Sequence, residues 1–185
     1  MTKRLHITGA SGVGTTTLGT ALAETFGCPH HDTDEFYWLP TDPPYREERD
    51  PDERLRLIEK ALRDAPAWVL SGSIGKWGEP LTALFDAVVF LTVPTAARIA
   101  RLRARELRDF GWDALAPGGA MHDEHEAFVE WAAHYDDGTR EGRSRPKHEV
   151  WLAQLQCPVI RLDGERPLGA LVADVVEGIA RSAAG

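Results

Sequence analysis

Apolar residues along this chain fall into two alternating rhythms, short unbroken runs and longer stretches that repeat every three or four positions. Such alternation predicts a parallel sheet with crossover helices. Leu5 to Thr8 reads as a first strand ended by a Gly-rich turn, and Thr15 to Phe26 as a helix stopped by Gly27. Pro29 to Asp32 is a weaker second strand. Leu39 to Asp50 holds Pro40, Pro43 and Pro44 and reads as loop, after which Asp50 caps a helix with Pro51 at its first position and Glu53 completing a capping box.

Trp68 to Ser71 is a third strand and Ala87 to Val93 a fourth, whose unbroken apolar character predicts burial on both faces and a central place. Thr95 is expected to cap a basic helix reaching about Arg108, followed by a Gly- and Pro-containing break from Phe110 to Gly119. Helices over about Met121 to Tyr135 and Pro146 to Leu155 flank DDGTREGRSR, a polar, basic connector expected to be mobile. Pro158 to Leu162 is a fifth strand, and Pro167 to Arg181 closes the chain as an amphipathic helix. The pattern implies one domain with a mobile insertion.

Composition narrows the function classes. The chain has 185 residues, 43% hydrophobic and 27% charged, ordinary for a globular protein. Its net charge of -8 disfavours a general nucleic-acid binder, because a phosphate backbone rewards clustered Lys and Arg. Cys28 and Cys157 are far apart and lack CxxC spacing, so neither a disulfide framework nor a zinc site is indicated. The absence of an apolar signal core and of a spanning stretch gives the expectation of a cytoplasmic protein with no membrane partner; a monomer or homodimer is expected.

The chemistry begins at Gly9-Ala10-Ser11-Gly12-Val13-Gly14-Thr15-Thr16, which follows a strand and opens a helix as the P-loop pattern G-x-x-x-x-G-K-[ST] requires. Such a loop turns successive N–H groups inward, and the helix N-terminus adds positive character toward phosphates. The expected nucleotide contacts are Gly9, Ser11, Gly12, Val13, Gly14, Thr15, Thr16 and Thr17, with the Thr16 hydroxyl on Mg²⁺. Thr15 occupies the position of the motif lysine that offsets β- and γ-phosphate charge. Lys76, just past the third strand, is the candidate substitute; the alternative is a solvated loop lysine.

The P-loop, the Asp32-Thr33-Asp34 triplet after the second strand, a lid-like basic region and a late RLDG strand end occur in this order. In that order the chain resembles the P-loop kinases of the adenylate kinase and shikimate kinase type, over nearly its whole length. The resemblance implies a three-layer α/β/α sandwich, a five-stranded parallel sheet of order 2-3-1-4-5 and a P-loop NTPase fold. It also implies an acceptor-binding region at about residues 35–65 and a helical lid at about 109–145, with ATP and Mg²⁺ as cofactors. Carried over, Asp32 works on the Mg²⁺ side and Asp34 on the acceptor hydroxyl; the alternative is a pair of loop-capping aspartates. Ser71 stands where that pattern often has an acidic residue.

Arg98, Arg101, Arg105 and Arg108 recur at three- and four-residue steps, so they predict one stripe of a helix, with Arg103 elsewhere. The resemblance nominates Arg101, Arg105, Arg140, Arg143 and Arg145 as clamps on the transferred phosphoryl group; the alternative is a solvated face. His122 and His125 lack the H-E-x-x-H order and are expected on a mixed-charge helix facing solvent. Phe36, Tyr37, Trp38 and Trp77 line either an acceptor pocket or the core. The expected activity is phosphate transfer from ATP to a small hydroxyl- or phosphate-bearing molecule such as a nucleoside or nucleotide. The alternatives are a nucleotide-binding regulatory protein and a slow NTPase.

Overall fold

The computed structural model describes residues 4–182. Five strands, β1 (Arg4–Gly9), β2 (His30–Asp32), β3 (Trp68–Ser71), β4 (Ala87–Thr92) and β5 (Val159–Asp163), form one parallel sheet in the order β2-β3-β1-β4-β5. This is the expected order and an α/β/α P-loop type of fold. In register, Leu5 lies beside Val69 on one side and Ala87 on the other. Leu5, Ile7, Val69, Leu70, Val88, Val89 and Phe90 are fully enclosed, so β1, β3 and β4 are covered on both faces, as continuous apolar runs require. β2 and β5 lie at the edges and are only half-buried.

The helices are α1 (Thr15–Phe26), α2 (Thr33–Tyr37), α3 (Pro51–Arg63), α4 (Thr95–Phe110), α5 (Trp112–Leu115), α6 (His122–Ala133), α7 (Arg145–Leu152) and α8 (Leu168–Ser182). α1 ends where the sequence places it, with Gly27 left-handed and its N–H returned to Ala23 and Glu24 carbonyls. Asp50 caps α3 by accepting from the N–H groups of Asp52 and Glu53. The box is only half built, since the Glu53 carboxylate lies against Arg49 at 3.5 Å. Thr95 is not a cap: Pro94 holds that position, and the Thr95 hydroxyl donates to Asp136 at 2.5 Å.

By contacts the chain divides into two compact units. The first comprises residues 4–9, 14–91 and those from 155 onward; the second comprises 10–13 and 92–154. In the first, α1 packs on β1, β3 and α8. In the second, α4 packs on α6. Cys28 and Cys157 are free thiols, both half-buried. Among the described residues no helix is long and apolar enough to cross a membrane.

Candidate functional site

The Gly-rich segment bends as a phosphate-holding turn must. Gly12 and Gly14 sit at φ 84° and 98°, where side chains are disfavoured, and α1 opens at Gly14 with no side-chain cap on its first N–H groups. Those groups stay available to an anion. Thr16 and Thr17 are exposed, Thr15 is half-exposed and Val13 is buried as an anchor.

In the first unit, the Thr16 hydroxyl donates to Asp32 Oδ2 at 2.7 Å. Ser71, at the end of β3, donates to the same oxygen at 3.1 Å, and Asp32 Oδ1 accepts the Asp34 N–H at 3.1 Å. Because Ser71 gives its hydrogen to Asp32, it receives one from His30 Nε2 at 2.9 Å. Burial lowers the pKa of His30 despite the nearby carboxylates Asp32 and Glu35, which suits a neutral ring in that chain of bonds. A hydroxyl and a carboxylate oxygen this close form a hard donor set of the kind Mg²⁺ takes. Asp32 thus ends a strand and caps α2, whereas Asp34 lies in the first turn of α2, exposed. The two carboxylates therefore stand on different elements, Asp32 on β2 and Asp34 on α2.

Lys76 follows β3 on an exposed turn, and its ammonium pairs with none of the described residues. The neighbouring rings form one cluster: Tyr37 lies 4.8 Å from Trp38 and 6.4 Å from Trp77. Phe36 stands edge-on to His31. All four predicted aromatic residues are half-buried, so they are not core side chains.

The second unit builds a cationic cluster on Ser11. Arg98 is 1% exposed and donates to the carbonyls of Ser11 at 3.3 Å and Ala132 at 3.2 Å, to Thr95 and to Asp136 at 3.1 Å. Arg143 donates to the Ser11 hydroxyl and lies 5.3 Å from the Trp131 ring. Arg145 reaches the other oxygen of Asp136 at 3.6 Å. Burial pushes the Asp136 carboxyl up, but bonds from Thr95 and Arg98 overcome it and hold the pKa below the usual value. Tyr135 donates to Nδ1 of buried His148 at 2.7 Å. Burial raises the phenol and lowers the imidazole to about 4, both of which keep the proton on the phenol.

The predicted arginine stripe therefore divides. Arg98 is a buried bracket, while Arg101, Arg105 and Arg108 are exposed, with Arg105 beside Glu106 and Arg108 beside Asp109. Arg103 leaves the stripe and forks onto Glu126 at 2.7 and 3.0 Å. Arg140 pairs with Glu130. The connector takes part in hydrogen bonds: Trp131 donates to the Glu141 carbonyl at 2.8 Å and Lys147 to Gly142 at 2.6 Å. His125 does not face solvent; it is 6% exposed and bonds Glu106 at 2.5 Å. Among the described residues no group of three or more His, Cys, Asp or Glu side chains is arranged to hold a metal ion.

Sequence reasoning passed over Ser71 as a partner of Asp32, and over Asp136, Tyr135 and His148. Its signals for Ser71 were a polar residue closing an otherwise apolar strand and a place where the resembling pattern often has an acidic residue.

No protein-family model matches the chain. It is 44% identical over 165 residues to the Bacillus subtilis (strain 168) protein described as uncharacterized protein YqaC, covering 89% of this chain and 90% of that one. A gluconokinase from Sinorhizobium meliloti 1021 shares the fold at a TM-score of 0.55 and 19% identity, over 97% of this chain and 92% of its own. A sugar kinase from Janibacter sp. HTCC2649 does so at 0.50 and 15%, over 97% and 95%. At such identities the likeness concerns the fold alone.

Proposed function

This chain belongs to the same family as YqaC of Bacillus subtilis, and from its residues we propose that it is an ATP- and Mg²⁺-dependent phosphotransferase acting on a small molecule. The observation that carries the reading is the Thr16–Asp32 hydrogen bond, which links the end of the Gly-rich turn to the end of β2 through two hard oxygen donors. The kinase fold of the gluconokinase and the sugar kinase supports it.

In this reading the N–H groups of Gly12 to Thr17 hold the polyphosphate, and Thr16 and Asp32 hold Mg²⁺, which offsets phosphate charge. The acceptor oxygen forms a bond to the terminal phosphorus as the bond to the leaving ADP oxygen breaks. Asp34, exposed in the first turn of α2, takes the acceptor proton. Arg143, donating to Ser11 of the turn, supplies the cation that Thr15 does not, with Arg98 and Arg145 braced on Asp136 beside it. Arg101, Arg105 and Arg140 are the outer members of that cationic set, and Lys76 is the candidate cation on the loop after β3.

Titration calorimetry with ATP and ADP, with and without Mg²⁺, tests the reading. Binding that strengthens with Mg²⁺ and loses about tenfold or more in Thr16→Ala and Asp32→Asn is expected. Nucleotide binding that is absent, or indifferent to both changes, would overturn it. The motif position held by Thr15 favours a second reading, nucleotide binding without transfer; ADP formation that depends on an added acceptor excludes it.

A further inference from the structure

Resting on the phosphotransfer reading, we infer that His30 is a positioning residue of the metal site: acting through Ser71, it fixes the direction of the Asp32 carboxylate, in room that Gly19 leaves for its ring. His30 and Asp32 stand two apart on β2 and so face the same side of the sheet. That side carries α1, which packs on both β2 and β3. Ser71 is the register neighbour of Asp32 on β3.

The order of hydrogen bonds through these residues is set by the carboxylate, which only accepts. The Ser71 hydroxyl, fully enclosed, therefore spends its one hydrogen on Asp32 Oδ2 at 3.1 Å. Its oxygen is left to accept, and the hydrogen it receives stands on His30 Nε2, 2.9 Å away. A serine hydroxyl turns to suit its surroundings, so a donor fixed on one side of the oxygen directs the hydroxyl hydrogen to the other, onto Asp32. The ring is tied to α1 at its second nitrogen: Nδ1 lies 3.3 Å from the Thr20 hydroxyl, which also donates to the Thr16 carbonyl at 3.1 Å. Of the two hydrogens on Oδ2, the one from Thr16 must turn aside when that hydroxyl gives a lone pair to Mg²⁺. The Ser71 hydrogen is then the one that holds this oxygen, as outer hydrogen bonds hold ligating carboxylates in general.

Gly19 lies inside α1, where glycine is destabilising relative to alanine. A Cβ there would stand 2.5 Å from Nε2 and 2.9 Å from Cδ2 of His30, and 3.2 Å from the Ser71 Cβ. The space of the missing methyl is thus filled by the nitrogen that feeds Ser71. An alanine would displace the movable tip of a side chain and leave main chain alone, so it moves the ring and spares the fold.

Calorimetry of ATP with and without Mg²⁺ gives the factor by which the metal strengthens binding; a merely structural loss lowers both affinities and leaves that factor alone. His30→Asn keeps a group near Nδ1 and none near Nε2, whereas His30→Gln carries an amide N–H near Nε2. The factor is expected to fall about tenfold in His30→Asn, Gly19→Ala and Ser71→Ala, and to return to within about threefold of the unchanged protein in His30→Gln. In the nucleotide-free protein, nitrogen NMR shifts of the His30 ring should place its hydrogen on Nε2. Thermal melts report folding, and the two histidine variants carry the test if Gly19→Ala does not fold. Equal factors in His30→Asn and His30→Gln, or a ring hydrogen on Nδ1 alone, would overturn the inference with the phosphotransfer reading intact. Unchanged protein that binds no ATP, or binds it without regard to Mg²⁺, sinks that reading and the inference with it.

Discussion

The guanidinium of Arg98, enclosed within the second unit, donates to the main-chain carbonyl of Ser11 at 3.3 Å. It also satisfies Ala132, Thr95 and Asp136, so removing it strands several acceptors together. Asp136 is 36% exposed and keeps Thr95 and Arg145, so the loss falls mainly on the carbonyls of Ser11 and Ala132, where an acceptor left unpaired costs about 1–3 kcal/mol. Arg98→Met should therefore lower unfolding stability by about 2 kcal/mol in urea titrations, and Arg98→Lys should recover only a part, having no fork. A loss below about 0.5 kcal/mol would show the bracket to be dispensable.

Two glycines of the turn should respond differently to alanine. A Cβ on Gly12 would lie 2.6 Å from the Arg98 carbonyl oxygen, whereas one on Gly14 would meet nothing within 4 Å. Gly14→Ala bears only the left-handed backbone penalty, about 1–2 kcal/mol. Gly12→Ala adds a clash with main chain and should cost at least about 2 kcal/mol more, read from denaturant midpoints. Equal losses would contradict the close approach.

Of the two candidate cations, Arg143 donates to the Ser11 hydroxyl, whereas the Lys76 ammonium pairs with none of the described residues. Arg143→Met is expected to weaken ATP binding about tenfold or more, and Lys76→Met less than about threefold. Calorimetry on the two variants decides the matter, and a larger loss at Lys76 reverses the assignment.

His148 gives a pH dependence. Its pKa in the folded chain is about 4 against an ordinary 6.5, from burial first and the Arg143 charge second. The unfolded chain therefore binds more protons between these values, and stability rises with pH across that window. The contribution is complete above about 6.5 and is lost as pH falls toward 4, on the order of 3 kcal/mol at 1.36 kcal/mol per unit. His148→Gln keeps an acceptor for Tyr135 and cannot take up that proton, so its melting temperature should fall less over the same interval. Parallel curves for both proteins would rule this titration out.

Elements set by local chemistry were legible in the sequence. Gly27 ends α1 and Asp50 with Pro51 starts α3, because such signals act within a turn of chain. The sheet order came from resemblance, not from periodicity. What sequence could not supply were partners brought from afar. Arg98 looked like one of four arginines on a helical stripe, yet its acceptors lie at Ser11, Ala132 and Asp136, and these bury it. His125 was misread for the same reason: Glu106, on another helix, takes it inside. Thr95 has a cap's chemistry, but Asp136 claims its hydroxyl.

One oxygen of Asp32 already receives two hydroxyl hydrogens, from Thr16 and Ser71. A lone dication arriving there must turn at least one of them away and regains little in exchange. One that already carries phosphate oxygens brings its own partners for the displaced groups. In the proposed reaction such a metal would arrive with its nucleotide and not ahead of it.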